Sequence, residues 1–176
     1  MISRLGIAVL WLLHFLPLAV QARIGNGVGW VLYFAVAKRR KIGATNLALC
    51  FPEWSAARRK QVLQQHFQAM SRAALEHGML WWSDAARVRG LVKVEGWEHY
   101  EAVKNQPIIL LAPHFIGLDM GGVRLSLEPH PLVSMYSRLK NLHFDALMLQ
   151  ARTRCGRSVI ISRHEGVRPL IREMKQ

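Results

Sequence analysis

The sequence predicts an α/β fold in which a mixed, largely parallel sheet is flanked by helices and preceded by an N-terminal membrane anchor helix. Stretches with helical periodicity alternate with short strand-like runs along the chain, which is the pattern of an α/β domain. The run at 107–112 is continuously apolar, as expected of a strand that is covered on both faces. Because no strand-like run follows residue 162, we expect the sheet to be incomplete.

The first element is an apolar stretch at 5–22, which is just long enough to cross a bilayer core of roughly 30 Å. A cleavable signal peptide is the alternative interpretation, because the basic Arg4 precedes the stretch. A second apolar stretch at 27–37 is too short to span and predicts an interfacial or re-entrant segment. It runs into the basic residues 38–41, and this positive charge predicts an uncleaved anchor with a cytoplasmic body.

The later elements follow from breakers, caps and periodicity. Pro52 ends the membrane-proximal part, and Ser55 is a candidate N-cap for a long amphipathic helix at 56–82. Beyond that helix we predict strands at 91–96, 107–112, 130–137 and 158–162, and helices at 97–105, 116–127, 144–156 and from residue 165. The predicted domains are an anchor at 1–22, a basic interfacial segment at 23–54 and a truncated α/β domain at 55–176.

Charge and cysteine content narrow the classes of partner. A formal net charge of +13 favours an anionic partner, namely a membrane, a phosphorylated substrate, an acidic carrier protein or nucleic acid. Nucleic acid is disfavoured because the chain contains no recognisable nucleic-acid module. The two cysteines, Cys50 and Cys155, form neither a disulfide framework nor a metal-site spacing, and we expect no metal and no cofactor.

Two titratable residues, His114 and Asp119, follow the apolar run at 107–112. Five positions along one helix would turn their side chains about 140° apart. They can meet only if His114 lies on the turn and Asp119 in the first helical turns, and Pro113 supports such a turn. The carboxylate could then orient the imidazole and leave its other nitrogen free as a base. The alternative is a histidine that caps a helix beside a solvated aspartate, and the spacing leaves both interpretations open.

The stretch APHFIGLD resembles the H-x-x-x-x-D/E motif of membrane acyltransferases. Further pieces in the same order narrow this resemblance, namely ATNLALCFPEWS, LWW, VKVEGWEHYEA and YSRLKN. Together they are similar to the bacterial lipid A biosynthesis (lauroyl/myristoyl) acyltransferase family over nearly the whole chain. Proteins of that family are considerably longer, so the chain resembles an N-terminal fragment of one.

The resemblance implies a late acyltransferase of lipid A and lipopolysaccharide biosynthesis. It implies transfer of a fatty acyl chain from acyl carrier protein to a hydroxyl of an acylated glucosamine disaccharide, the lipid A precursor. His114 would be the general base for that hydroxyl, and Asp119 would hold the imidazole in the correct tautomer. The implied location is the bacterial inner membrane, with the catalytic part on the cytoplasmic face and the basic residues 38–41 against anionic lipid.

Four residues are candidates for substrate binding, namely Tyr136, Arg138, Lys140 and Arg163. The piece YSRLKN differs from the Tyr-Arg-Pro that is more usual in the family, because its arginine stands one place later. The three basic side chains suit phosphate groups of the lipid or the carrier. Two alternatives to the lipid A reaction are acyl transfer to a glycerolipid or another lipid acceptor, and a catalytically inactive, membrane-bound binding fragment.

Overall fold

The computed structural model describes residues 2–128, 132–154, 156 and 158–174. Within these ranges the first helices are α1 (Ile2–Leu13), α2 (Leu18–Ala35), α3 (Ala37–Cys50), α4 (Ala56–Trp82), α5 (Ala85–Leu91), α6 (Trp97–Glu101) and α7 (Leu118–Ser126). They are followed by β1 (Leu132–Tyr136), α8 (Leu142–Thr153), β2 (Ser158–Ser162) and α9 (Arg168–Glu173). The chain forms two compact units. The helical unit is Val9–Gly78, and the sheet unit consists chiefly of the residues after it.

The two strands confirm the α/β character of the sheet unit. β1 and β2 pair in parallel, with Leu132 opposite Ser158 and Tyr136 opposite Ser162. Helix α8 connects them, as parallel strands require a crossover. The predicted strands are therefore confirmed over 132–136 and 158–162. Ser137 follows β1 and is not part of it, and residues 130 and 131 lie outside the described part. The sheet of the described residues is small and open.

Two predicted strands are wrong. Residues 91–96 contain the last residue of α5 and then an irregular segment. The segment ends at Gly96, which is the N-cap of α6 and has a left-handed backbone conformation with a φ of 71°. Residues 107–112 belong to no strand, and Ile109 and Leu111 are exposed instead of buried. An apolar run becomes a strand only when a neighbouring strand accepts its backbone hydrogen bonds, and neither run has one within the described residues.

The expected anchor helix is not found in the structure. Its residues are divided between α1 and α2, with a turn in which the Leu16 N–H donates to the Leu13 carbonyl at 3.0 Å and with Pro17 before α2. Among the described helices, none combines the length and the apolar character that a membrane span needs. The domain limits predicted at residues 22 and 54 stay a prediction.

Close contact between α2 and α4 organises the helical unit. Gly25 and Gly29 are buried, and a side-chain carbon at either position would overlap the backbone of α4 at Arg72 or Gln68. Tyr33 continues the same face of α2 and is buried with its ring edge-on to Phe67, at 5.6 Å between centroids. Glycine thus lets the two helices approach more closely than larger residues would allow.

The sheet unit has a core of its own. Its buried apolar residues are Met79, Leu80, Trp81, Val88, Val123, Leu127, Ala151 and Ile161. Two arginines close this core by donating to distant backbone carbonyls. Arg89 reaches the carbonyl of Leu127 at 2.7 Å, and Arg124 reaches that of Val92 at 3.2 Å. These long-range contacts hold α5 and the segment after it to α7.

Candidate active site

His114 lies on an exposed irregular segment directly before α7. Pro113 starts a tight turn there, because its carbonyl accepts the Phe115 N–H at 2.7 Å. A second turn follows, in which the Leu118 N–H donates to the Phe115 carbonyl at 3.1 Å, and Gly117 is the N-cap of α7. His114 therefore occupies the turn and Asp119 the first helical turn, which is the placement that the five-residue spacing requires.

Asp119 is half-buried at the start of α7, where a carboxylate complements the positive end of the helix. One of its oxygens, Oδ1, accepts a hydrogen bond from Nη2 of Arg152, in the last turn of α8. Each of the two side chains is about one-third exposed, at 31% and 27%, so solvent screens the ion pair only in part. Among the described residues, no hydrogen bond or ion pair joins His114 to Asp119, and their catalytic pairing stays a prediction.

The four predicted substrate-binding residues lie at or shortly after the carboxyl ends of the two strands. Tyr136 is the last residue of β1 and pairs with Ser162, the last residue of β2. Arg163 follows Ser162 directly, so its backbone lies near the end of β1. Arg138 and Lys140 follow β1 within the same loop and are exposed. In parallel sheets, ligands are usually bound at the carboxyl ends of the strands. The register of the pair therefore sets the end of β1 beside the end of β2, and the substrate-binding role of the four residues stays a prediction.

Asp145 shapes the loop that carries Arg138. Its carboxylate is buried in the first turn of α8, where it accepts the Leu139 N–H at 2.8 Å and lies 3.8 Å from Nε of Arg138. Asn141 caps the same helix by accepting from the N–H of His143 at 3.1 Å and of Phe144 at 3.3 Å. Because both acceptors act on backbone N–H groups, they fix the course of the loop between β1 and α8.

Sequence reasoning missed both Arg152 and Asp145. Arg152 stands 33 positions after Asp119, and no local spacing connects residues so far apart. A basic residue in the last turn of a helix is ordinary, so Arg152 carried no separate signal. Asp145 lies four positions after Asn141, and an asparagine at this distance is a capping signal that could have placed Asp145 in the first turn of a helix.

Apolar residues lie on both sides of His114 in the sequence. Ile109, Leu111 and Phe115 are exposed, with Leu111 at 96%. The described part of the chain contains no group of three or more His, Cys, Asp or Glu side chains that could hold a metal ion. The histidine is thus accessible, and its neighbours offer apolar surface for a hydrocarbon chain.

Comparison with known proteins supplies the family. The model of the bacterial lipid A biosynthesis acyltransferase family matches residues 1–176. The lipid A biosynthesis lauroyltransferase of Escherichia coli (strain K12) is 33% identical over 158 residues, which are 89% of this chain and 51% of the relative. A lipid A biosynthesis acyltransferase of Haemophilus influenzae is 33% identical over 159 residues, or 89% of this chain and 50% of the relative. The lipid A biosynthesis palmitoleoyltransferase of E. coli is 29% identical over 157 residues, or 88% and 51%.

No solved structure matches the chain. The chain spans about half the length of the curated relatives that it matches. The family model nevertheless covers all of it, and the pieces that carry the resemblance include the segment of His114 and Asp119. This chain therefore belongs to the bacterial lipid A biosynthesis acyltransferase family.

Proposed function

We propose that this chain carries the base of an acyl transfer in lipid A biosynthesis, with acyl carrier protein as the donor. The acceptor is a hydroxyl of an acylated glucosamine disaccharide. One observation carries the proposal: in a member of this family, an accessible His114 precedes a helix whose first turn holds Asp119, paired with Arg152. Base and carboxylate thus lie on consecutive turns of the chain, and this placement supports their cooperation.

The reaction needs one proton transfer at the base. His114 takes the proton of the acceptor hydroxyl while that oxygen attacks the carbonyl carbon of the acyl thioester. A C–O bond forms, the C–S bond breaks, and the thiolate of the carrier leaves with the proton that the imidazole returns. Asp119 stabilises the protonated imidazole, and the hydrogen bond from Arg152 holds the carboxylate in place at the start of α7.

Two groups of exposed side chains in the sheet unit support the two substrates. The exposed apolar side chains of Ile109, Leu111 and Phe115 suit an acyl chain, and the cations Arg138, Lys140 and Arg163 suit phosphate groups. The relatives are a lauroyltransferase and a palmitoleoyltransferase of lipid A, which supports a fatty acyl donor. We further propose that the protein works at the cytoplasmic face of the bacterial inner membrane, against anionic lipid. The basic residues 38–41 support this location.

The test is acyl transfer from acyl carrier protein to a tetra-acylated lipid A precursor, with membranes that contain this chain. We expect His114→Ala to lower the rate by about 10²- to 10⁴-fold, because this is the usual contribution of a general base. His143→Ala is the matched control, since His143 is also exposed but lies in α8. This control should keep the rate of the unsubstituted chain.

Undiminished transfer by the His114→Ala chain would contradict the assignment of the base. If the unsubstituted chain formed no product but retained the lipid precursor, it would be a binding module, and the proposal would be wrong for this span. A parallel reaction with a glycerolipid as the acceptor tests the remaining alternative, which is acyl transfer to a different lipid. If product formed only on the glycerolipid, the assignment of acyl transfer would stand and the assignment of the acceptor would be wrong.

A further inference from the structure

The helical unit contains a second feature, a basic groove between the end of α2, α3 and the start of α4. Its volume is about 480 Å³, and its cationic lining residues are Arg40, Lys41, Arg59 and Lys60. Tyr33 and Leu63 form the buried floor. The groove lies wholly within Val9–Gly78, whereas the candidate active site lies in the sheet unit. It is therefore a separate site.

Backbone carbonyls fix the two arginines of this basic groove. Nη1 of Arg40 donates to the Tyr33 carbonyl at 2.8 Å, and its guanidinium lies 5.3 Å from the centre of the Tyr33 ring. Nη1 of Arg59 donates to the carbonyls of Phe51 and Pro52, each at 3.3 Å. A guanidinium has five N–H donors, so each arginine keeps donors for an anion while its position is already fixed. Little side-chain entropy is then lost on binding.

No acidic residue is among the described residues that line this groove. The helical unit has nine Lys and Arg residues but only two acidic residues, Glu53 and Glu76, and neither of them lines the groove. Lys41 and Lys60 are exposed, and the structure shows neither in an ion pair with a described residue. Helix α4 also begins at the groove, since Ala56 is both its first residue and a lining residue, and the helix dipole adds positive potential. The groove thus favours a compact anion.

Apolar side chains adjoin the groove on α2. Trp30, Val31 and Phe34 are each more than half exposed, and the rings of Trp30 and Phe34 meet edge-on at 5.0 Å. The Phe34 carbonyl lies 3.5 Å from Nη1 of Arg40, so the apolar surface begins where the basic groove ends. Aromatic rings beside lysine and arginine are the composition of a helix surface that lies at the headgroup level of a bilayer.

We propose that this basic groove binds the phosphate group of an anionic membrane lipid, whose acyl chains pack beside Trp30 and Phe34. An acidic protein surface is a poorer match, because it would spread several carboxylates over a wide interface. This groove instead gathers its four cations around a volume of about 480 Å³. The inference goes beyond acyl transfer, since it concerns a resident lipid at a different site and its test needs no catalysis.

The test is calorimetric titration of the full chain in a neutral maltoside detergent. The probes are dihexanoyl phosphatidylglycerol, dihexanoyl phosphatidylcholine and inorganic phosphate. We expect the anionic lipid to bind at least about tenfold more tightly than either other probe, since the zwitterionic lipid carries no net charge and free phosphate lacks the apolar part. Equal binding of inorganic phosphate would show a site for soluble phosphate and would overturn the lipid assignment.

A matched pair of variants locates the site. Lys41→Gln with Lys60→Gln should weaken binding of the anionic lipid about thirtyfold, because each cation near an anionic headgroup contributes about fivefold. Arg23→Gln with Arg58→Gln removes the same charge from exposed positions of α2 and α4 outside the groove and should change binding by less than about threefold. The charge-retaining Lys41→Arg with Lys60→Arg should bind like the unsubstituted chain.

Equal losses in the two glutamine variants would show diffuse electrostatic attraction and would overturn the site. Titration with acyl carrier protein completes the comparison. If the groove substitutions weakened binding of that acidic protein and left lipid binding unchanged, the groove would be a protein-docking surface and the lipid assignment would be wrong. Both lysines are exposed, so circular dichroism of the glutamine variants should match that of the unsubstituted chain.

Discussion

The helical unit and the sheet unit reach their structures in different ways. In the helical unit, the backbone hydrogen bonds of α2, α3 and α4 are made within each helix, and contact between the helices depends on the small size of Gly25 and Gly29. In the sheet unit, order depends on partners that are distant in sequence, such as β2 for β1. The comparison shows why the residues at 107–112, which have strand-like composition but no partner strand among the described residues, lie exposed.

The largest difference in unfolding free energy should appear between alanine substitutions at two aliphatic residues of the sheet unit. Ile161 in β2 is 4% exposed and Leu111 is 96% exposed. Ile161→Ala should lower the free energy of unfolding by about 2–5 kcal/mol, because it removes buried methyl groups and leaves a cavity. Leu111→Ala should change it by less than about 0.5 kcal/mol. Chemical denaturation followed by circular dichroism measures both, and a large loss in Leu111→Ala would mean that 107–112 is buried in solution.

A second prediction concerns the long-range contact at the candidate active site. Arg152→Met should lower kcat/KM for acyl transfer by about tenfold, because a hydrogen bond between charged groups contributes about 1–2 kcal/mol when it is partly exposed. We expect the loss in kcat, since Arg152 acts through Asp119 and not on the substrate.

A purely structural role for Arg152 would give a different result. Arg152→Lys keeps the charge and should restore part of the rate, and the pH dependence of kcat should shift in Arg152→Met because the carboxylate is no longer held. Thermal unfolding of the three chains is the control. If the loss of rate followed the loss of stability and the pH profile stayed unchanged, Arg152 would not position Asp119.

Two glycines of α2 test the helical unit. Gly29→Ala should destabilise it by about 1–3 kcal/mol or more, since the new methyl group would overlap the backbone of Gln68 and the Phe67 carbonyl. Gly27 faces open space, so Gly27→Ala should stabilise the same helix by about 0.5–1 kcal/mol. Thermal denaturation followed at a helical wavelength gives both values. Equal effects of the two substitutions would contradict the close contact of α2 with α4.

The smallest expected effect is the dependence of stability on alkaline pH through Tyr100. Burial raises the pKa of the Tyr100 hydroxyl above 10.0, and the carboxylates of Glu101 and Glu128 add to this rise, while Lys104 opposes it. Because the folded pKa is the higher one, the contribution is fully present below pH 10.0 and is lost as pH rises through the folded pKa. Between pH 9 and about 11, the unsubstituted chain should therefore lose slightly more unfolding free energy than Tyr100→Phe.

The predictable parts of the fold are those that local interactions determine. Helix α4 spans the predicted residues 56–82, because its apolar periodicity is regular and Ser55 caps it, with Oγ accepting the Arg58 N–H at 3.2 Å. β1 and β2 were predicted from their strand-like composition, and both form because each supplies the hydrogen-bonding partner of the other. The strand predicted at 91–96 failed, since its alternating pattern is equally compatible with an irregular segment that two arginine contacts hold in place.

The same division applies to the candidate active site. The turn at His114 and the helical position of Asp119 could be predicted, because Pro113 and the five-residue spacing are local signals. The partner of Asp119 could not, since Arg152 reaches it only after β1 and α8 have folded back. The sheet edge that gathers Tyr136 and Arg163 depends on the register of two strands, which composition does not encode.

The prolines on either side of the exposed apolar run have a consequence for handling the protein at high concentration. Uncharged segments of about six residues with high β-propensity are the units from which cross-β fibrils grow, and they are dangerous when no proline interrupts them. Pro107 is the first residue of the run and Pro113 follows its last, and neither can donate to an intermolecular ladder, so they act as gatekeepers at both ends. The residue that shapes the turn before His114 thus also limits self-association.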